Sequence, residues 1–153
     1  MFSGLFNDSR KSDGMVDVLM ELRRVGTTIT TQTPEPGIKS PFPKATTFDV
    51  VIGIAKPITG YAASVNAQGN VTGVYWRFDI QVSSALNGTY TTVQTFAPLN
   101  GNVQRVRVGI SYKQLPPSPG ADFVRILATP VGGVGGVDYY AFVSPTANHL
   151  TDR

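Results

Sequence analysis

The stretch Val74-Tyr-Trp-Arg-Phe-Asp-Ile-Gln-Val82 decides the fold class. Val74, Trp76, Phe78, Ile80 and Val82 alternate with Tyr75, Arg77, Asp79 and Gln81. A period of two sends successive side chains to opposite faces, so this run reads as a half-buried strand. Two further rows repeat the pattern. Phe48, Val50, Ile52 and Ile54 alternate with Asp49, Val51 and Gly53, and Val106, Val108, Ile110 and Tyr112 alternate with outward Arg105, Arg107 and Ser111. Weaker strand candidates are Tyr61–Val65, Thr89–Phe96, Asp122–Thr129 and Val137–Ser144. Turn signals separate them: 67–70, Asn87-Gly88, Asn100-Gly101, 116–120 and 132–136. Asn-Gly pairs favour the tight hairpin turns that match strand twist. Seven or eight short strands so spaced predict a mainly β chain, an antiparallel β-sandwich or jelly roll, over residues 46–146. Residues 147–153 read as a C-terminal tail.

The first 45 residues have a different character and read as an N-terminal arm. Met15, Val18, Leu19 and Leu22 fall at i, i+3, i+4 and i+7, the stripe of an amphipathic helix over about 13–25. Ser12 or Asp13 is placed to cap it, Arg23 and Arg24 suit its C-terminal end, and Gly26 suits its stop. Val16 and Val18 also alternate, which leaves a strand over 15–22 as the weaker alternative. Residues 27–47 follow, with prolines at 34, 36, 41 and 43. Proline removes a donor and breaks ladders, so this segment reads as an extended connector with little internal hydrogen bonding. Fully extended, such an arm spans on the order of 150 Å.

Composition narrows the function. The chain has 153 residues, enough for one domain with a real core, and 15% charged residues against a typical ~25%. Net charge is +3, with the 13 Lys and Arg scattered rather than in a run, so a polybasic arm for nucleic acid or lipid is not expected. Arg77, Arg105 and Arg107 are the one candidate basic patch, read as sharing an outer face. The start, Met1-Phe-Ser-Gly-Leu-Phe, lacks a basic region followed by an apolar core, and no apolar stretch reaches ~18 residues; neither a signal peptide nor a membrane span is expected. There is no Cys, so no disulfide, thiolate metal site or cysteine nucleophile.

No catalytic constellation emerges. The single His149, the base a serine triad would need, lies in the C-terminal tail and reads as a solvated tail residue. Gly132-Gly-Val-Gly-Gly136 lacks the Lys-Ser/Thr ending of a phosphate loop and reads as a hairpin tip. Tyr75 and Tyr139 read as the freer aromatics, available for stacking on a sugar, while Trp76 points inward. No enzyme activity, cofactor or metal is expected. A β-sandwich with few charges and a long arm suits an assembly part, which acts by burying area on neighbours. Phe2, Phe6, Met15, Val18, Leu19, Leu22 and Phe42 are the apolar anchors by which the arm would grip a partner. Burying ~1,000 Å² of apolar area would contribute ~25 kcal/mol gross, before the entropy of ordering is subtracted.

Four stretches carry a family resemblance: 75–92 (Tyr-Trp-Arg-Phe-Asp-Ile-Gln-Val through the Thr-rich segment), Val103-Gln-Arg-Val-Arg-Val108, Ala121-Asp-Phe-Val-Arg-Ile-Leu-Ala-Thr-Pro-Val-Gly-Gly133 and Tyr140-Ala-Phe-Val143. Over about 70–144 the chain resembles the small jelly-roll capsid cement (decoration) proteins of tailed bacteriophages. The resemblance implies a virion structural protein made in the host cytoplasm. Its partners would be the major capsid protein and further copies of itself, as trimers at three-fold positions. The alternatives are another phage structural part, such as a tail, adaptor or fibre-base protein, and a carbohydrate-binding β-sandwich module.

Overall fold

The computed structural model describes residues 20–40, 47–111 and 122–145. These build a β-sandwich of ten strands: β1 (Glu21–Arg23), β2 (Thr33–Pro34), β3 (Ile38–Lys39), β4 (Phe48–Ile54), β5 (Ala62–Val65), β6 (Val71–Ser83), β7 (Thr91–Phe96), β8 (Gln104–Ile110), β9 (Phe123–Val131) and β10 (Tyr139–Pro145). One sheet has the order β1-β10-β4-β8. The other has the order β2-β9-β6-β5, with β3 also pairing β9 and β7 also pairing β6. Every strand pair among the described residues is antiparallel.

The alternation predicted for β4, β6 and β8 is what joins the layers. Val50, Ile52 and Ile54 of β4 meet Val108 and Ile110 of β8 and Val143 of β10 in one cluster with Trp76, Phe78, Ile80 and Val82 of β6 and Val124, Ile126 and Ala128 of β9. Trp76 is fully buried, and its Nε1–H donates to the Gly135 carbonyl at 2.7 Å. A buried indole N–H needs such a partner. The ring of Phe78 lies 4.8 Å from that of Tyr139.

The N-terminal expectations are corrected where the structure describes them. Residues 21–23 of the predicted helix form strand β1 on the edge of β10, and Leu22 is buried in the protein's own core. Leu22 is therefore not an anchor for a partner. The physical reason is that the edge of β10 offers backbone partners and an apolar floor, whereas a three-turn helix is marginal alone in water. Positions 13–19 of the predicted helix, the anchors Phe2, Phe6, Met15, Val18, Leu19 and Phe42, and the tail 147–153 lie outside the described residues, while Arg24 and Val25 follow β1 without helix.

Over its described residues 27–40 the proline-rich segment is extended, as expected, but it is hydrogen-bonded along the sandwich. Ile29 and Val137 exchange both backbone bonds at 2.9 Å, Glu35 N–H donates to Ile126 O at 2.8 Å, and Ser40 N–H to Asp122 O at 2.8 Å. Residues 20–40 thus run from β1 in one sheet to β2 and β3 in the other, closing one side of the sandwich. Pro34 and Pro36 are tolerated because an edge strand needs only alternate N–H groups.

Candidate interaction surfaces

The proposed basic patch does not assemble. Arg77 lies on β6, while Arg105 and Arg107 lie on β8 of the opposite sheet. Trp76 and Val108 both face the shared core, so their arginine neighbours point away from each other on opposite outer faces. Each is also engaged. Arg77 Nε is 3.3 Å from Asp79 Oδ2. Arg107 Nη1 donates to Asp49 Oδ2 at 2.8 Å and reaches Ser144 Oγ and Pro145 O. The Arg105 guanidinium sits 6.0 Å from the centre of the Phe142 ring.

A cleft of about 460 Å³ opens between β1 and the β2–β3 segment. Arg23, Glu35 and Tyr139 meet there. Arg23 Nε is 3.4 Å from Glu35 Oε2, and the Tyr139 hydroxyl donates to the same oxygen at 3.2 Å. Arg23 Nη2 donates to the Thr27 carbonyl. Burial, reinforced by the negative charge of Glu35, pushes the Tyr139 hydroxyl far above the ordinary phenol range, with Arg23 opposing. Tyr139 is therefore a fixed neutral donor. Its expected freedom to stack on a ligand is corrected: the side chain is wholly buried. The cluster's chemistry is that of a clasp between the two sheets, since its carboxylate is spent on internal partners.

The end of the sandwich opposite the β6–β7 turn is different. Segments 57–70, 97–104 and 132–136, which surround the buried Ile58, Gly101 and Val134 with exposed residues, contain no Asp, Glu, Lys or Arg. The topology brings them together. Tyr61 OH donates to Pro98 O at 2.6 Å, Ile58 N–H to Gly101 O at 2.8 Å, and Gly135 N–H to Thr59 O at 2.9 Å. Asp138, just beyond, is buried with its carboxylate accepting from Gly26 N–H. Three large apolar side chains stand out on this end: Val65 at 52%, Leu99 at 53% and Val103 at 60% exposure. Charge depletion around exposed apolar groups is the composition of an interface core.

From this end projects a hairpin. β6 pairs with β9 only from Tyr75 onward and with β7 only from Phe78, so Val71–Val74 has β5 as its sole strand partner among the described residues. The turn is rigid: Asn66 Oδ1 accepts from Gln68 N–H at 3.0 Å and Asn70 N–H at 2.9 Å. At the base, the Tyr61 hydroxyl accepts from Trp76 N–H at 3.2 Å. The sequence did carry the signal for this surface. No charged residue occurs between Lys56 and Arg77, between Asp79 and Arg105, or between Arg125 and Asp138.

Among the described residues no cluster of His, Asp and Glu is arranged to hold a metal ion, and no helix is long and apolar enough to cross a membrane. The chain matches no known family profile and no curated protein.

Proposed function

We propose that this protein is a virion structural component, a capsid cement protein that binds the major-capsid lattice and stabilises the head. The observation that carries the reading is the charge-free end with exposed Val65, Leu99 and Val103. An apolar surface lacking charge gains by leaving water and sets no sign requirement on its partner. A sandwich braced across both sheets supplies the stiffness a lattice fastener needs. The resemblance to phage cement proteins supports the same partner.

The test is addition of purified protein to empty heads. Binding should raise their melting temperature, and the pair Leu99→Glu with Val103→Glu should weaken binding at least tenfold. Surface substitutions of this kind change intrinsic stability by only about ±0.5 kcal/mol. Failure of the wild-type protein to bind heads would sink the proposal.

A further inference from the structure

The clasp between the sheets leaves part of its guanidinium unused. Arg23 is a buried cation, its side chain 6% exposed, and its one hydrogen bond runs from Nη2 to the Thr27 carbonyl. Nε is closed to solvent beside Glu35 and makes no hydrogen bond. Nη1 has no hydrogen-bond partner among the described residues and, unlike Nε, is not shut away from solvent. Buried polar groups are hydrogen-bonded as a rule, so an idle edge on a buried guanidinium needs an explanation. Arg23 lines the cleft of about 460 Å³ between β1 and the β2–β3 segment. Small-molecule sites commonly measure about 300–1,000 Å³.

We infer that this cleft binds one neutral sugar ring, a pyranose, with a ring or hydroxyl oxygen accepting from Arg23 Nη1. Charge selects a neutral ligand. The four charged residues lining the cleft cancel in pairs, Arg23 with Glu35 and Arg24 with Glu21. An anion drawn to Arg23 would also meet the Glu35 carboxylate, whose Oε2 lies 3.4 Å from Nε. A cation drawn to Glu35 would meet the guanidinium. The rest of the lining is two-sided, as a sugar is. Ile29 and Ile38 are half-buried and packed on the core, an apolar wall for the C–H face of a ring. The Thr33 hydroxyl donates to Thr31 O at 2.9 Å, which leaves its lone pairs to accept a ligand O–H. A wholly apolar ligand would leave Nη1 unpaired. The donor is also fixed in advance, because Thr27 and Glu35 hold the guanidinium, so binding orders little. The cleft shares no residue with the charge-free end, and the inference does not rest on the capsid reading.

The test is titration of the isotope-labelled full-length chain, read from its backbone amide spectrum. The probes are D-glucose, D-galactose, D-mannose and N-acetyl-D-glucosamine, each alone, with sodium acetate as the charged comparison. At least one sugar should shift the amides of Leu22, Arg23 and Thr33 and saturate in the millimolar range, while acetate leaves them in place. Thr33→Val removes an exposed hydroxyl and keeps the side-chain shape; it should weaken that sugar roughly threefold, the weight of one neutral hydrogen bond. Arg23→Lys keeps a cation beside Glu35 but withdraws the second edge of the planar fork, and should weaken the sugar roughly tenfold. Amides of β4 and β9 report that each variant stays folded, and Thr33→Val alone decides if Arg23→Lys does not fold. No response to any of the four sugars, shifts confined to another surface, tighter binding of acetate, or unchanged affinity in Thr33→Val would overturn the inference. No heads enter this assay, so its outcome is distinct from that of head binding.

Discussion

The guanidinium of Arg23 lies 4.6 Å from the centre of the Tyr139 ring, tying the first described strand to the start of the last. Glu35 completes the contact from the other sheet's edge. The side chains of Arg23 and Glu35 are only 6% and 12% exposed. Removing one member of a buried pair leaves the other charged and desolvated, which costs roughly 3–5 kcal/mol. Arg23→Ala should therefore lower unfolding free energy by about 3 kcal/mol, and Tyr139→Phe, which removes one hydrogen bond, by about 1 kcal/mol. Urea unfolding followed by the fluorescence of Trp76, the chain's single tryptophan, measures both.

Alkaline pH tests the same site differently. Burial raises the folded-state pKa of Tyr139 and, more modestly, of Tyr61. The unfolded chain releases these protons near pH ~10 while the folded chain retains them. Their contribution is complete below that pH and is lost as pH climbs past it, by up to ~1.4 kcal/mol per unit per group. The urea midpoint should fall between pH 9.5 and about 11.5, the range bracketing the ordinary phenol value. Tyr139→Phe should make that fall shallower; an unchanged slope would contradict the assignment.

Gly73 is required by geometry. Its φ is +101°, and a Cβ there would lie 2.3 Å from the backbone oxygen of Ala62. Gly73→Ala should cost about 1–3 kcal/mol of local strain. Amide exchange at 62–65 should accelerate, while the amides of β4 and β9 keep their protection. Equal acceleration everywhere would show that the hairpin is not a separable unit.

The Trp76–Gly135 hydrogen bond couples the core to the glycine-rich tip. Trp76→Phe should destabilise by roughly 2 kcal/mol, combining lost volume with loss of the hydrogen bond to the half-buried Gly135 carbonyl. Circular dichroism during thermal unfolding reads the loss.

The strands β4, β6 and β8 were legible because their core-facing residues recur at a period of two, although β4 and the second half of β6 are buried on both faces. The short edge strands β1, β2 and β3 were not, because their partners β10 and β9 are remote in sequence. Leu19 and Leu22 have helical spacing, yet Leu22 sits in a strand because β10 lies beside it. Prolines 34 and 36 break a central ladder but not an edge. Tyr139 reads as available because its hydroxyl is polar, and the carboxylate that satisfies it is 104 residues away. The charge gaps were visible in the chain, but only the topology stacks them on one end.

Residues 20–40 cross from one layer of the sandwich to the other, and that route has a mechanical consequence. Tension entering through Met20 meets β1 on β10 first, then the Ile29–Val137 bridge, then β2 and β3 on β9. The leading segment is held by successive catches on two layers, and a pull that frees one still meets the next.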